Sequence, residues 1–94
     1  MVSYHFKLYI AGETLKSERV INTVRQICIK AFGTDDGLEI IDVIQQPELA
    51  EEAKILATPT LVKEQPLPSR YVVGDFSQIP KVLNALDIYD DVDR

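Results

Sequence analysis

Gln46-Pro47-Glu48-Leu49-Ala50-Glu51-Glu52-Ala53-Lys54-Ile55-Leu56-Ala57-Thr58-Pro59-Thr60-Leu61-Val62 is the stretch around which the chain is arranged. Its first part reads as a helix. Pro47 suits the first helical position, where its missing N–H would be unpaired anyway. Glu48 falls in the first turn, where the helix dipole favours negative charge. Leu49, Ala53 and Leu56 recur at i, i+4 and i+7 and so share one face, with Glu51, Glu52 and Lys54 on the other. Thr58-Pro59 is expected to end the helix, because a residue before proline is pushed out of helical geometry. Thr60-Leu61-Val62 then reads as a short strand.

Upstream, Tyr4-His5-Phe6-Lys7-Leu8-Tyr9-Ile10 alternates, with Tyr4, Phe6, Leu8 and Ile10 on one face and His5, Lys7 and Tyr9 on the other. That is a strand. After a loop over residues 11–16, Ser17 is the expected N-cap of a helix reaching about Phe32. Val20, Val24, Ile27, Cys28 and Ala31 form its apolar stripe, and Arg19, Arg25, Gln26 and Lys30 its wet face. A turn over 33–37 leads to a second strand over 38–44, apolar on both faces as in a buried parallel strand. Downstream, residues 63–69 read as a loop around Pro66 and Pro68. Arg70-Tyr71-Val72-Val73 is strand-like. A last helix follows, capped by Asp75 or Ser77, with Ile79, Val82, Leu83 and Leu86 on its apolar face; Pro80 is tolerated in its first turn. The order βαβαββα, with a Thr-Pro before the third strand, resembles the plan of a thioredoxin-like domain, in which the bond before that proline is usually cis.

The composition restricts the function. Ninety-four residues are expected to form one domain spanning residues 1–94. Apolar residues at 46% and charged ones at 27% suit an ordinary globular chain. No apolar run approaches the roughly 18 residues that would span a bilayer. The N-terminus carries no basic region and cleavage site of a secretory leader, so a cytoplasmic location is expected. The net charge of −5, with Asp87, Asp90, Asp91 and Asp93 clustered at the C-terminus, argues against nucleic acid as the main partner.

Catalytic patterns are missing from the sequence. Thiol–disulfide chemistry needs two cysteines, usually C-x-x-C, at the loop after the first strand. That place holds Ala11-Gly12-Glu13-Thr14-Leu15-Lys16-Ser17, and the single cysteine, Cys28, falls on the apolar stripe as a small buried hydrophobe. His5 has no ligand set near it in sequence and reads as a strand-surface histidine. Gly12, Gly33, Gly37 and Gly74 form no phosphate-cradling loop. Asp75 is best read as a turn residue and helix cap. No cofactor, metal or catalytic residue is expected.

The wording of several segments is more specific than the plan. Pro47-Glu48-Leu49-Ala50-Glu51-Glu52, then Lys54-Ile55-Leu56-Ala57-Thr58-Pro59-Thr60-Leu61, closely resembles the circadian-clock KaiB family. Lys7-Leu8-Tyr9-Ile10-Ala11-Gly12, Ile41-Asp42-Val43 and Gly74-Asp75 agree, and the resemblance runs from about Tyr4 to about Tyr89. It implies a protein that is not an enzyme and binds the N-terminal ring of the hexameric ATPase KaiC. In the cyanobacterial clock the bound form captures KaiA and displaces a histidine kinase with a thioredoxin-like sensor domain. Outside cyanobacteria such pairs occur without KaiA, so timing or stress response is an equal expectation. The alternative is a thioredoxin-like sensor or adaptor domain acting with a histidine kinase. By the same resemblance, Arg19, Lys54, Lys63 and Arg70 match basic positions of the ring-binding surface. Tyr71 stands where a second basic residue often follows, and Glu39 replaces a family lysine on the KaiA-facing side.

The resemblance also implies two folds. Free members are often tetramers whose second half is rearranged, giving βαββααβ overall, so a dimer or tetramer of this chain is an expectation. Local signals favour the thioredoxin-like form here. Tyr71-Val72-Val73 is poor helical material. Ala85 stands before Leu86-Asp87 where the family typically has glycine, and alanine is better in a helix by up to about 1 kcal/mol. Pro59, Pro66 and Pro68 are the positions whose X-Pro bonds would slow any rearrangement.

Overall fold

The computed structural model describes residues 4–74 and 76–86. Seven elements follow in the expected order: β1 (His5–Ile10), α1 (Leu15–Phe32), β2 (Leu38–Asp42), α2 (Pro47–Glu52), β3 (Thr60–Gln65), β4 (Arg70–Val73) and α3 (Ile79–Ala85). They build a four-stranded mixed sheet in the order β2-β1-β3-β4. β1 and β2 run parallel, while β3 is antiparallel to both β1 and β4.

One face of the sheet carries the core. Phe6, Leu8 and Ile10 of β1 and Leu61 of β3 meet Val20, Val24, Ile27 and Cys28 of α1 and Val82, Leu83 and Leu86 at α3. The period-2 pattern of β1 and the 3.6-residue pattern of α1 thus meet as read. Tyr4 and Phe32 stack at 4.1 Å between centroids, and Phe6 meets both rings edge-on.

Several local expectations are corrected. α1 is capped by Thr14, whose Oγ1 accepts the Ser17 N–H at 3.0 Å. Ser17 is therefore the third helical residue and is buried. β2 stops at Asp42 rather than residue 44. The Asp42 carboxylate accepts the N–H groups of Ile44 and Gly12 at 2.9 Å, which turns the chain. β2 carries apolar side chains on both faces as expected, with Leu38 and Ile40 packed against the core and Ile41 buried on the other side, while its edge position leaves Glu39 exposed. β3 extends to Gln65, because pairing with both β1 and β4 carries it past Val62. Lys63 and Glu64 are thus strand residues, and the loop narrows to 66–69. The N-cap of α3 is Gln78, whose side chain makes no capping hydrogen bond. Asp75 lies outside the described residues, as do Asp87 and the acidic cluster that follows it.

The largest correction concerns α2. It ends at Glu52, well before Thr58-Pro59. Lys54 adopts the left-handed conformation with φ 57. Lys54 N–H donates to Glu51 O at 3.1 Å, and Ile55 N–H to Ala50 O at 2.9 Å. That is the Schellman pattern, with lysine at the position glycine usually takes. The expected Leu49–Ala53–Leu56 face is broken, and Leu56 stands 97% exposed. The Thr58–Pro59 bond is cis as expected, and so are Gln65–Pro66 and Leu67–Pro68.

Candidate partner-binding face

The second face of the sheet is built from the alternate residues of the same strands. Register places Lys7 beside Glu39 and Val62, Tyr9 beside Ile41 and Thr60, Val62 beside Tyr71, and Thr60 beside Val73. Residues 53–57, after α2, border part of this face. An open groove of about 590 Å³ remains, walled by Lys54, Ile55 and Leu56 on one side and by Val62, Tyr71 and Val73 on the other. Tyr71 is 71% and Val73 52% exposed. Large apolar side chains are thus left open to solvent in one depression.

A charged ladder closes one end. The His5 ring lies between Glu64, at 3.1 Å from Nδ1, and Glu39, at 3.5 Å from Nε2. Lys7 Nζ meets the other Glu64 oxygen at 3.2 Å. The hydrogen bond to Glu64 raises the Lys7 ammonium above its ordinary range. The sequence reading left His5 without neighbours. Alternation had put it on the Lys7 face, but only strand pairing brings Glu39 and Glu64 to it.

The four basic positions matched by family resemblance do not form one patch. Lys54 lines the groove, held by its left-handed backbone. Arg70 is exposed at the start of β4 and pairs in register with Lys63. Lys63 also pairs with Phe6, which places it on the core side of the sheet, and its exposure is 0%. Strand alternation turns it inward in this conformation. Arg19 is exposed on α1, in the layer behind the core face and away from the groove.

The place where thioredoxin-type chemistry would sit is a smaller depression of about 270 Å³ between the β1–α1 loop and the cis proline. Ala11, Thr14, Ser17, Thr58 and Pro59 line it. Cys28 lies elsewhere, fully buried. Burial pushes its thiol up to about 11, only partly offset by the neighbouring Tyr4 hydroxyl. A thiol held neutral and out of reach is a packing group. Tyr4 donates to Thr34 O at 2.6 Å, and burial also raises its phenol. Among the described residues no group of three or more His, Cys, Asp or Glu side chains could hold a metal ion. Nor is any described helix long and apolar enough to cross a membrane.

Comparison with known proteins agrees with this architecture. Solved structures with the same fold include the N-terminal domain of Synechococcus elongatus SasA. The TM-score is 0.68 at 22% identity, covering 89% of this chain and 79% of that one. Mitochondrial thioredoxin 3 of Saccharomyces cerevisiae gives 0.65 at 16% identity, covering 90% and 77%. Both are likenesses of fold, and they make the architecture thioredoxin-like. Sequence relatives are closer. The circadian clock oscillator protein KaiB of Prochlorococcus marinus strain MIT 9312 is 51% identical over 89 residues, 95% of this chain and 85% of that protein. The circadian clock protein KaiB3 of a Synechocystis strain is 45% identical over 82 residues, 87% and 80% respectively. Residues 7–88 match the model of the KaiB domain, and the chain belongs to the KaiB family.

Proposed function

We propose that this chain is a non-enzymatic regulatory protein that binds the N-terminal ring of a KaiC-type hexameric ATPase and modulates its phosphorylation and ATPase cycle. The observation that carries the reading is 51% identity, over nearly the whole chain, to a circadian clock oscillator KaiB. The open groove gives that role a physical surface. Apolar Leu56, Tyr71 and Val73 supply area to bury, and Lys54 supplies a cation at its rim. In this reading Lys54 and Arg70 are first contacts, and Arg19 supports from α1. Lys63 contributes by pairing with Arg70, which ties β3 to β4. A cytoplasmic location fits such a partner.

KaiA, or a histidine kinase competing for the same ring, would be a further partner. The role is that of a circadian clock component or, in an organism without KaiA, a timing or stress-response factor. A sensor or adaptor domain acting with a histidine kinase is the other reading; its support is the shared thioredoxin-like fold alone.

Size-exclusion chromatography with light scattering tests the proposal, using the chain alone and with a KaiC-type hexamer in ATP or ADP. A complex of up to six copies per ring, dependent on the nucleotide, is the expected result. The free chain's mass reports whether it waits as a monomer, dimer or tetramer. No complex with either nucleotide would overturn the reading.

A further inference from the structure

β4 is an edge strand, and its outward backbone groups can be identified. Gly74 N–H donates to Pro59 O at 3.2 Å, which makes that pair a hydrogen-bonded one. Hydrogen-bonded and open pairs alternate along an antiparallel ladder. Val72–Leu61 and Arg70–Lys63 are therefore bonded pairs, and Tyr71–Val62 and Thr60–Val73 are open ones. The N–H and C=O groups of Tyr71 and Val73 consequently point away from β3, along the free edge.

Protected edges usually carry charge, proline or a bulge. The other edge, β2, has Glu39 and Asp42 within five residues. β4 has Arg70 alone, followed by an aromatic and two β-branched residues. It also has a depression on each side. The groove holding Lys54 lies on the Tyr71 and Val73 face. A second one, of about 320 Å³, runs between β4 and α3 and is lined by Val72, Phe76, Lys81 and Val82. Side chains of an added strand would enter the two depressions alternately.

The charge around this edge selects the occupant. Lys54, Arg70 and Lys81 are all exposed beside it, in a chain of net charge −5. The Glu64 carboxylate on the groove wall is already engaged by His5 and Lys7. A second copy of this chain pairing edge to edge would bring the same three cations against themselves. We propose that β4 is a strand-addition site for an extended acidic peptide segment of a partner, which pairs with Tyr71 and Val73 and places its carboxylates near Lys54, Arg70 and Lys81. The inference stands on the edge geometry and does not require the ring ATPase.

The probe is a synthetic blocked ten-residue peptide alternating valine with aspartate or glutamate. Controls are its lysine-substituted counterpart and a version with a central proline. Amide hydrogen exchange is followed residue by residue by NMR. With the acidic peptide at ten times its Kd, exchange at Tyr71 and Val73 should slow about tenfold. Arg70 and Val72, already bonded to β3, should not change. Val73→Glu, at an exposed position, should abolish the effect and leave α1 protection intact. Three results would overturn the proposal: equal protection by the lysine peptide, no change at Tyr71 and Val73 at millimolar acidic peptide, or protection of those amides in the free chain together with a dimer in sedimentation.

Discussion

The two halves of the molecule solve different problems. The first, β1-α1-β2, is the more enclosed, with Leu15 and Ile29 its exposed large apolar residues. α1 runs 18 residues between a Thr14 cap and Gly33 at φ 80, and buries Val20, Val24, Ile27 and Cys28. The second half, from α2 onward, is open. α2 has six residues, none of them buried, and α3 has seven. Leu56, Leu67, Tyr71 and Val73 are all exposed there, and among the described residues the two non-glycine residues with positive φ, Lys54 and Phe76, belong to it. Helices this short gain little from their own hydrogen bonds and depend on what they pack against. The first half therefore holds the fold, and the second half offers surface.

The largest expected effect sharpens that contrast. Ile27→Ala should cost about 2–5 kcal/mol, since the site is fully enclosed and leaves a cavity. Leu56→Ala should cost less than about 0.5 kcal/mol in the free protein. Urea denaturation of both variants measures the difference, and comparable losses would break the contrast.

Alkali should act on the more enclosed half next. Cys28 titrates at about 11 in the folded chain, above its ordinary 9.0. Stability from keeping it neutral is complete below pH 9 and is lost as pH rises through 11. A shift of two units is worth roughly 3 kcal/mol. Tyr4 and Lys7 are also raised and act in the same direction. A Cys28→Ala variant should show a shallower alkaline fall in denaturation midpoint between pH 9 and 11. An unchanged slope would mean that the thiol is solvated.

How much of this was legible in the sequence follows the same division. β1 and α1 were readable because each repeats one strong period and each buries the stripe that the period defines. α2 was misread because Leu49, Ala53 and Leu56 fit a helix that the backbone abandons at Lys54. Lysine in the left-handed position carries no sequence signal of the kind glycine would. The inward turn of Lys63 and the Glu39–His5–Glu64 ladder depend on strand register, which is a long-range property. The open groove was invisible for the same reason, although its residues were all named. The thioredoxin-like architecture and the KaiB family were both within reach, since the order of elements and the Thr58-Pro59 neighbourhood carry them.

Two smaller effects probe the open half. Lys54→Gly should stabilise the free chain by about 0.5–1 kcal/mol, because a side chain in the left-handed region carries a steric cost that glycine lacks. Lys54→Val should do the reverse, and calorimetry on the pair checks the sign. Glu64→Gln removes the shared partner of His5 and Lys7. These groups are partly exposed, so the loss should stay below about 1 kcal/mol and shrink further in 1 M salt.

The most direct test of the division of labour is hydrogen-exchange mass spectrometry of the chain with and without a KaiC-type hexamer in ATP. The account predicts new protection over residues 54–57 and 70–73, with α1 unchanged because it is already slow. Protection confined to α1 around Arg19, with the groove still exchanging freely, would contradict it.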